Sequence, residues 1–234
     1  MNWKTTIPLL GFAAAGLSLR HYYKRGSLSF AHPMRSPKPD DIRIACVGDS
    51  ITYGYGVKPW PEASYPTRLG VLLGKGYCVN NFGFSGRTAG EYGDAPYTQE
   101  SLFQKSLRFH PDIVVIMLGT NDTKPINWNG AEAFCEGLRR IIQTYRDLPE
   151  NPTVLLVTPP PAFSSAFGID GGRLKHEIRQ AMKMAAETEH TFFLDLFPIL
   201  EEHPEWFFDG IHPNANGAKV IAETVFRCIK EMER

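Results

Sequence analysis

The chain has no excess of either charge: Lys plus Arg total 25 and Asp plus Glu total 25. A balanced surface offers no basic field to attract a polyanion, which excludes nucleic acid as the main partner. Cysteine is scarce, four residues in 234, and none stands at a metal-binding spacing. Cys46 and Cys78 fall in or beside strand-like runs, Cys135 and Cys228 in helix-like ones. Buried free thiols are expected, which is compatible with a reducing compartment. The seven histidines are scattered and none forms H-E-x-x-H. Asp209 and His212 could supply two ligands, but no third is evident, so neither metal nor other cofactor is expected. Gly54-Tyr55-Gly56 leads into Pro59 and Pro61 with no phosphate-binding Lys or immediate helix, which argues against a nucleotide. There is no internal repeat or low-complexity tract. A 43% hydrophobic composition at this length suits one globular domain.

Nor does any uninterrupted apolar run reach the ~20 residues of a membrane span. The nearest is Ile7 to Leu19, preceded by Lys4 and followed by Arg20, Lys24 and Arg25. Three readings compete. The segment is an anchor through residues 5–23, with Trp3, Tyr22 and Tyr23 as interfacial aromatics. Or it is a cleaved secretion signal, although no Ala-x-Ala site precedes the basic cluster. Or it is a helix packed on the domain. The anchor is preferred. The heavier positive charge on its C-terminal side then turns the rest of the chain toward the cytoplasm; the signal reading makes the protein secreted. The chain divides into this segment (1–30), a linker (31–40) with Pro33, Pro37 and Pro39, and a domain (41–234).

Within the domain, strand-like and helix-like segments alternate. Ile42 to Val47 is a short β-branched run closed by Gly48. Tyr77 to Asn81, Ile113 to Met117, Thr153 to Val157 and Thr191 to Leu194 are further strands. Helices are expected at Tyr65 to Gly74 (apolar Leu69, Leu72, Leu73), Tyr97 to Phe109 (Leu102, Phe103, Leu107) and Ala131 to Arg146. The last repeats Phe134, Leu138, Ile141, Ile142 and Tyr145 at helical spacing. Gly172 to Glu189 and Asn214 to Met232 complete the set, the latter with Asn214 as N-cap and Ile221, Val225 and Cys228 inward. Alternation of this kind gives an α/β fold, a three-layer α/β/α sandwich on a mainly parallel five-stranded sheet. The strands are apolar throughout, as expected when both faces are covered.

Polar blocks follow the strands. Gly48-Asp49-Ser50-Ile51 places a hydroxyl just past the first strand's carboxyl end, the edge where open α/β sheets bind ligands. Such a hydroxyl becomes a nucleophile if a base reaches it, or it is an ordinary turn residue. Asp209-Gly210-Ile211-His212-Pro213 sets a carboxylate and an imidazole three apart. They can face one side of a turn, the Asp accepting from one ring nitrogen and leaving the other to take a Ser proton. Asn81-Phe82-Gly83-Phe84-Ser85-Gly86-Arg87 follows the second strand, and a Gly there lets a backbone N–H approach a ligand. Leu118-Gly119-Thr120-Asn121-Asp122 follows the third and offers the Asn121 amide. Asn121-Asp122-Thr123 is formally a glycosylation sequon, discounted if Asn121 lines the site.

The ordered blocks Gly-Asp-Ser, Ser-Gly-Arg, Gly-Thr-Asn-Asp and Asp-x-x-His-Pro resemble the SGNH (GDSL-type) hydrolases, from about Arg43 onward. The resemblance implies a flavodoxin-like sandwich and a serine esterase working through an acyl-enzyme. It implies Ser50 as nucleophile, His212 as base and Asp209 orienting it. It also implies an oxyanion hole from the Ser50 and Gly86 backbone N–H groups and the Asn121 side chain, with Gly83 the other candidate glycine. The G-x-S-x-G elbow of α/β-hydrolases is missing around Ser50.

The substrate is read from loops. Asp49, Arg87, Asp94 and Trp128 are candidate substrate contacts. Trp60 and Trp128 are either platforms for a sugar or loop packing residues. The segments Gly-Thr-Asn-Asp-x-Lys-Pro-x-Asn-Trp, Gly93-Asp94-Ala95-Pro96-Tyr97 and Pro159-Pro160-Pro161-Ala162-Phe163 are similar to bacterial sialate O-acetylesterase and acetylxylan-esterase-like members. That implies a small-molecule ester, an O-acetylated carbohydrate, as the partner. The alternatives are a lysophospholipase or thioesterase acting on longer acyl chains and, from a different class, a non-catalytic binding module.

Overall fold

In the computed structural model, residues 32–234 are described. The apolar segment expected to act as an anchor or signal lies outside them. Among the described residues no helix is long and apolar enough to cross a membrane. Met34–Arg234 forms one unit.

Its centre is a sheet of five parallel strands, β1 (Ile42–Gly48), β2 (Tyr77–Asn81), β3 (Ile113–Met117), β4 (Thr153–Val157) and β5 (Phe192–Leu194), in the order β2-β1-β3-β4-β5. Alternate residues feed two separate cores, as the period of two requires. Ala45, Val47, Val114 and Ile116 face one layer and Ile44, Cys46, Val115 and Met117 the other. The first layer holds α3 (Ser101–Arg108), α4 (Ala131–Arg146) and α5 (171–188). The second holds α2 (Tyr65–Leu73), α6 (Phe197–Leu200) and α7 (Ala215–Met232). Phe134, Leu138, Ile141, Ile142 and Tyr145 of α4 are all buried, as their spacing predicts. The expected three-layer sandwich is therefore the observed one.

The departures are local. The helix expected from Tyr97 is broken at Glu100, whose backbone is extended between a turn at Tyr97–Gln99 and α3. The cause is tertiary. The buried Tyr97 hydroxyl donates to the Phe82 carbonyl at 2.6 Å and its N–H to Thr88 at 2.9 Å, so the turn belongs to the loop after β2. α5 contains an i→i+5 turn at Leu174–Ile178. Of the apolar residues of the first expected helix, Leu69 is buried and Leu72 is exposed. Cys46 and Cys78 are buried, but Cys135 and Cys228 only half so; all four are free. Burial pushes the Cys46 thiol up to about 12. Arg35, expected in a linker, is tied to β2: its N–H donates to Asn80 Oδ1 at 2.8 Å and its carbonyl accepts from Asn80 Nδ2 at 3.0 Å.

From β1 the chain moves first to β2 on one side and then to β3 on the other. The loops leaving β1 and β3 thus diverge and open a crevice at the carboxyl edge, the switch point of a doubly wound sheet. Three of the polar blocks issue from that edge.

Candidate active site

β1 ends on Gly48 because no larger residue fits. A Cβ there would lie 2.1 Å from Thr52 Oγ1 and 2.5 Å from the Met117 carbonyl. The chain turns at once into α1 (Ser50–Tyr53), a single helical turn. Asp49 caps it, its carboxylate accepting from the Ile51 N–H at 2.9 Å, and Gly54 ends it in a left-handed conformation at φ 85°. Ser50 therefore sits at the first helical position with its side chain buried against the loop before α7.

That loop brings the second block across. Ser50 Oγ and His212 Nε2 are 2.9 Å apart, and His212 Nδ1 lies 2.7 Å from Asp209 Oδ2. The other oxygen of Asp209 accepts from the backbone N–H groups of Ile211 (3.0 Å) and His212 (2.7 Å). Burial pushes the Asp209 carboxyl up, but the backbone and ring N–H groups of His212 and the Ile211 N–H outweigh it. Its pKa ends below the usual carboxylate value. An ionised Asp209 assigns the Nδ1 proton to the imidazole and leaves Nε2 as an acceptor toward Ser50. The loop itself is pinned from outside: Ser164 Oγ donates to the Asp209 carbonyl at 2.8 Å and the Phe163 N–H to Gly210 at 2.7 Å. Gly210 has φ 80°, and a Cβ there would meet Ser164 Cβ at 2.8 Å.

The β2 and β3 blocks converge on the same spot. Gly86 is in the left-handed region at φ 81°. Gly83 serves differently: a Cβ there would lie 2.3 Å from the Tyr53 nitrogen, so it lets the β2 loop lie flat on α1. Among the described residues, neither the Ser50 nor the Gly86 backbone N–H donates to a protein acceptor. Asn121 Nδ2 has two long bonds, 3.2 Å to Asp49 Oδ2 and 3.2 Å to the Arg87 carbonyl. The structure thus joins the β1, β2, β3 and α7 ends as the sequence pattern implies. The arrangement can deprotonate a hydroxyl beside a cluster of N–H donors, which suits acyl transfer.

Several expected substrate contacts are engaged elsewhere. Asp49 is fully buried as helix cap and acceptor for Asn121, so it holds the site rather than facing a ligand. Burial pushes its carboxyl up, and the Ile51 N–H opposes the shift. Arg87 is buried too, paired with Glu100 at 2.5 Å and lying 4.1 Å over the Phe84 ring. Asp94 exchanges hydrogen bonds with Asn127 (2.8 and 3.1 Å). Trp128 packs against the core, under the Arg173 guanidinium at 5.1 Å. Trp60 packs on Tyr53 at 5.3 Å and donates to its carbonyl at 3.1 Å.

Other positioning residues had no assigned role in the sequence. Asp122 accepts from the Ala89 (3.1 Å) and Gly90 (2.7 Å) N–H groups and so ties the β3 block to the β2 loop. Burial raises its pKa to about 6 despite those donors, and the nearby Asp49 charge adds to the rise. Asn127 donates to the Asn121 carbonyl at 2.9 Å. Asn81 bridges the Thr52 carbonyl (2.7 Å) and the Gly83 N–H (2.8 Å). Asn81 carried a signal, polarity at the end of an apolar strand, where an unpaired side chain would be costly.

A Ser–His–Asp hydrogen-bonded series at the switch point of a parallel α/β sandwich has the geometry of a serine-hydrolase site. The chain belongs to the GDSL-like Lipase/Acylhydrolase family, whose profile matches residues 46–220. It is 39% identical over 213 residues to an acetylxylan esterase of Xylanibacter ruminicola, covering 83% of this chain and 44% of that protein. It is 26% identical over 243 residues to a multidomain esterase of Ruminococcus flavefaciens, covering 88% of this chain and 31% of that one. The chain thus spans less than half the length of these relatives. In fold it superposes on a carbohydrate acetylesterase from Sinorhizobium meliloti with TM-score 0.67 at 23% identity, covering 81% and 99% of the two chains.

Proposed function

We propose that the protein is a carbohydrate O-acetylesterase. The observation that carries the reading is the Ser50–His212–Asp209 series, at 2.9 and 2.7 Å, beside the donors of the β2 and β3 loops. The 39% identity to an acetylxylan esterase supports the substrate class. In this reading His212 Nε2 takes the Ser50 proton as Oγ attacks the acetyl carbonyl. The Ser50 and Gly86 N–H groups and Asn121 Nδ2 receive the oxyanion, each donor contributing ~10²–10³ in turnover. The imidazolium, held by Asp209, then protonates the departing sugar oxygen. Water, activated by the same nitrogen, attacks the acetyl–Ser50 ester; the tetrahedral adduct collapses, acetate leaves and the Ser50 proton is restored.

The test is a series of 4-nitrophenyl esters, from acetate to palmitate, with the wild type and Ser50→Ala. The proposal expects Ser50-dependent turnover confined to short acyl chains, followed by acetate release from acetylated xylan. Turnover rising with chain length would move the assignment to a lipid esterase or thioesterase. Inertness toward the whole series would favour a binding module.

A further inference from the structure

Three aromatic side chains surround the base, and none belongs to the four polar blocks that build the site. Tyr55 lies 4.7 Å from the His212 ring, Phe167 5.7 Å and Phe208 6.0 Å, centroid to centroid. Tyr55 and Phe208 are 6.3 Å from each other. His212 itself is only 6% exposed, yet the three rings are 44%, 55% and 51% exposed. Rings of this size are ordinarily turned inward; these form a rim whose inner edge is the imidazole and whose outer surface meets solvent.

The rim is built by local backbone choices. Gly56, at φ 74°, leaves the space that the Phe208 ring fills: a Cβ there would lie 2.1 Å from Phe208 Cζ. Phe167 holds φ 57°, a left-handed conformation costly for a non-glycine residue, and Gly168 follows at φ 76°. Strain at an exposed aromatic next to the base has no compensating burial of its own ring, which points to a task at the surface. The Phe163 and Ser164 bonds to the Gly210 and Asp209 carbonyls anchor the Phe167 loop to the His212 loop.

Their location assigns the task, given the reading of His212 above, on which this inference rests. The nitrogen that takes the Ser50 proton later donates it to the departing alcohol, so the alcohol oxygen lies against the imidazole while the carbonyl oxygen lies toward the N–H donors. Whatever flanks His212 therefore lines the alcohol subsite. We propose that Tyr55, Phe167 and Phe208 form the subsite for the leaving alcohol and that the alcohol is a pyranose, its C–H face laid on the ring faces. The negative face of an aromatic ring attracts the positive edge of C–H groups, and a flat cyclic alcohol covers more of the rim than an acyclic one. Selectivity then comes from these rings and not from Trp60 or Trp128, which are engaged in packing.

The test compares kcat/KM for methyl 3-O-acetyl-β-D-xylopyranoside, phenyl acetate and ethyl acetate in the wild type and in Tyr55→Ala, Phe167→Ala and Phe208→Ala. The expected result is a fall of about three- to tenfold per variant in the xyloside-to-ethyl ratio, carried by KM. Tyr55→Phe and Phe208→Tyr should restore it. Equal losses on all three esters, leaving the ratio unchanged, would show that the rings only support His212 and would overturn the subsite. A fall in the phenyl ratio alone would make the rim an aryl clamp and overturn the pyranose assignment. A wild type that hydrolyses none of the three would overturn the esterase reading itself and, with it, the subsite.

Discussion

Asp209→Asn separates the orienting role of the carboxylate from its structural role. The Asn oxygen can keep the two backbone bonds that Asp209 Oδ1 accepts, at 3.0 and 2.7 Å. The loop should then hold its shape, with stability altered by no more than ~1 kcal/mol, the scale of one hydrogen bond. The other end becomes an NH2 group facing His212 Nδ1, where the carboxylate stood at 2.7 Å. Two donors cannot share that contact, so the imidazole must carry its proton on Nε2. That nitrogen then presents a hydrogen to Ser50 Oγ across 2.9 Å instead of a lone pair. A base with the wrong tautomer loses ~10⁴ in kcat, about 5 kcal/mol of barrier. Steady-state hydrolysis of 4-nitrophenyl acetate reads kcat and KM, and a thermal melt reads the fold. A kcat within tenfold of wild type, with the melt unchanged, would refute the role given to Asp209.

Asn121→Ala should lower kcat by ~10²–10³ with KM little changed, because its amide serves the oxyanion more than the ground state; comparable changes in both constants would make Asn121 a turn residue only. Asp122 gives a pH effect of definite sign. Its folded pKa, about 6, lies above the unfolded carboxyl value, so its contribution to stability is present at low pH and lost as pH rises through about 6. Urea midpoints of the wild type should fall between about pH 4 and 7, and Asp122→Asn should flatten the fall; parallel curves would refute the assignment. EDTA should leave the rate unchanged in the wild type, and strong inhibition would reopen the metal reading that Asp209 and His212 alone could not support.

The strands were legible because both of their faces are buried, so each is a short uninterrupted apolar run. β2, β3 and β4 begin and end where the composition does. α4 was legible because five apolar positions repeat at helical spacing. The pairing of Asp209 with His212 was legible because the two share one turn, and local spacing carries their geometry. Interactions set by distant partners were not legible. α1 spans four residues, too few to show a period. The break at Glu100 depends on where the Tyr97 hydroxyl finds an acceptor. Asp49 and Arg87 read as substrate contacts until Asn121 and Glu100 are seen to occupy them. Phe167 and Phe208 were not legible either, because nothing in a local pattern marks an aromatic ring that stays outside.

As the proposed nucleophile, Ser50 must carry the acyl group during turnover. Rapid quenching during turnover of 4-nitrophenyl acetate, followed by peptide mass mapping, tests it most directly. An acetyl ester is expected on the peptide containing Ser50, with loss of both adduct and turnover in Ser50→Ala. Turnover retained in that variant, with acetyl found on another residue or on none, would contradict it.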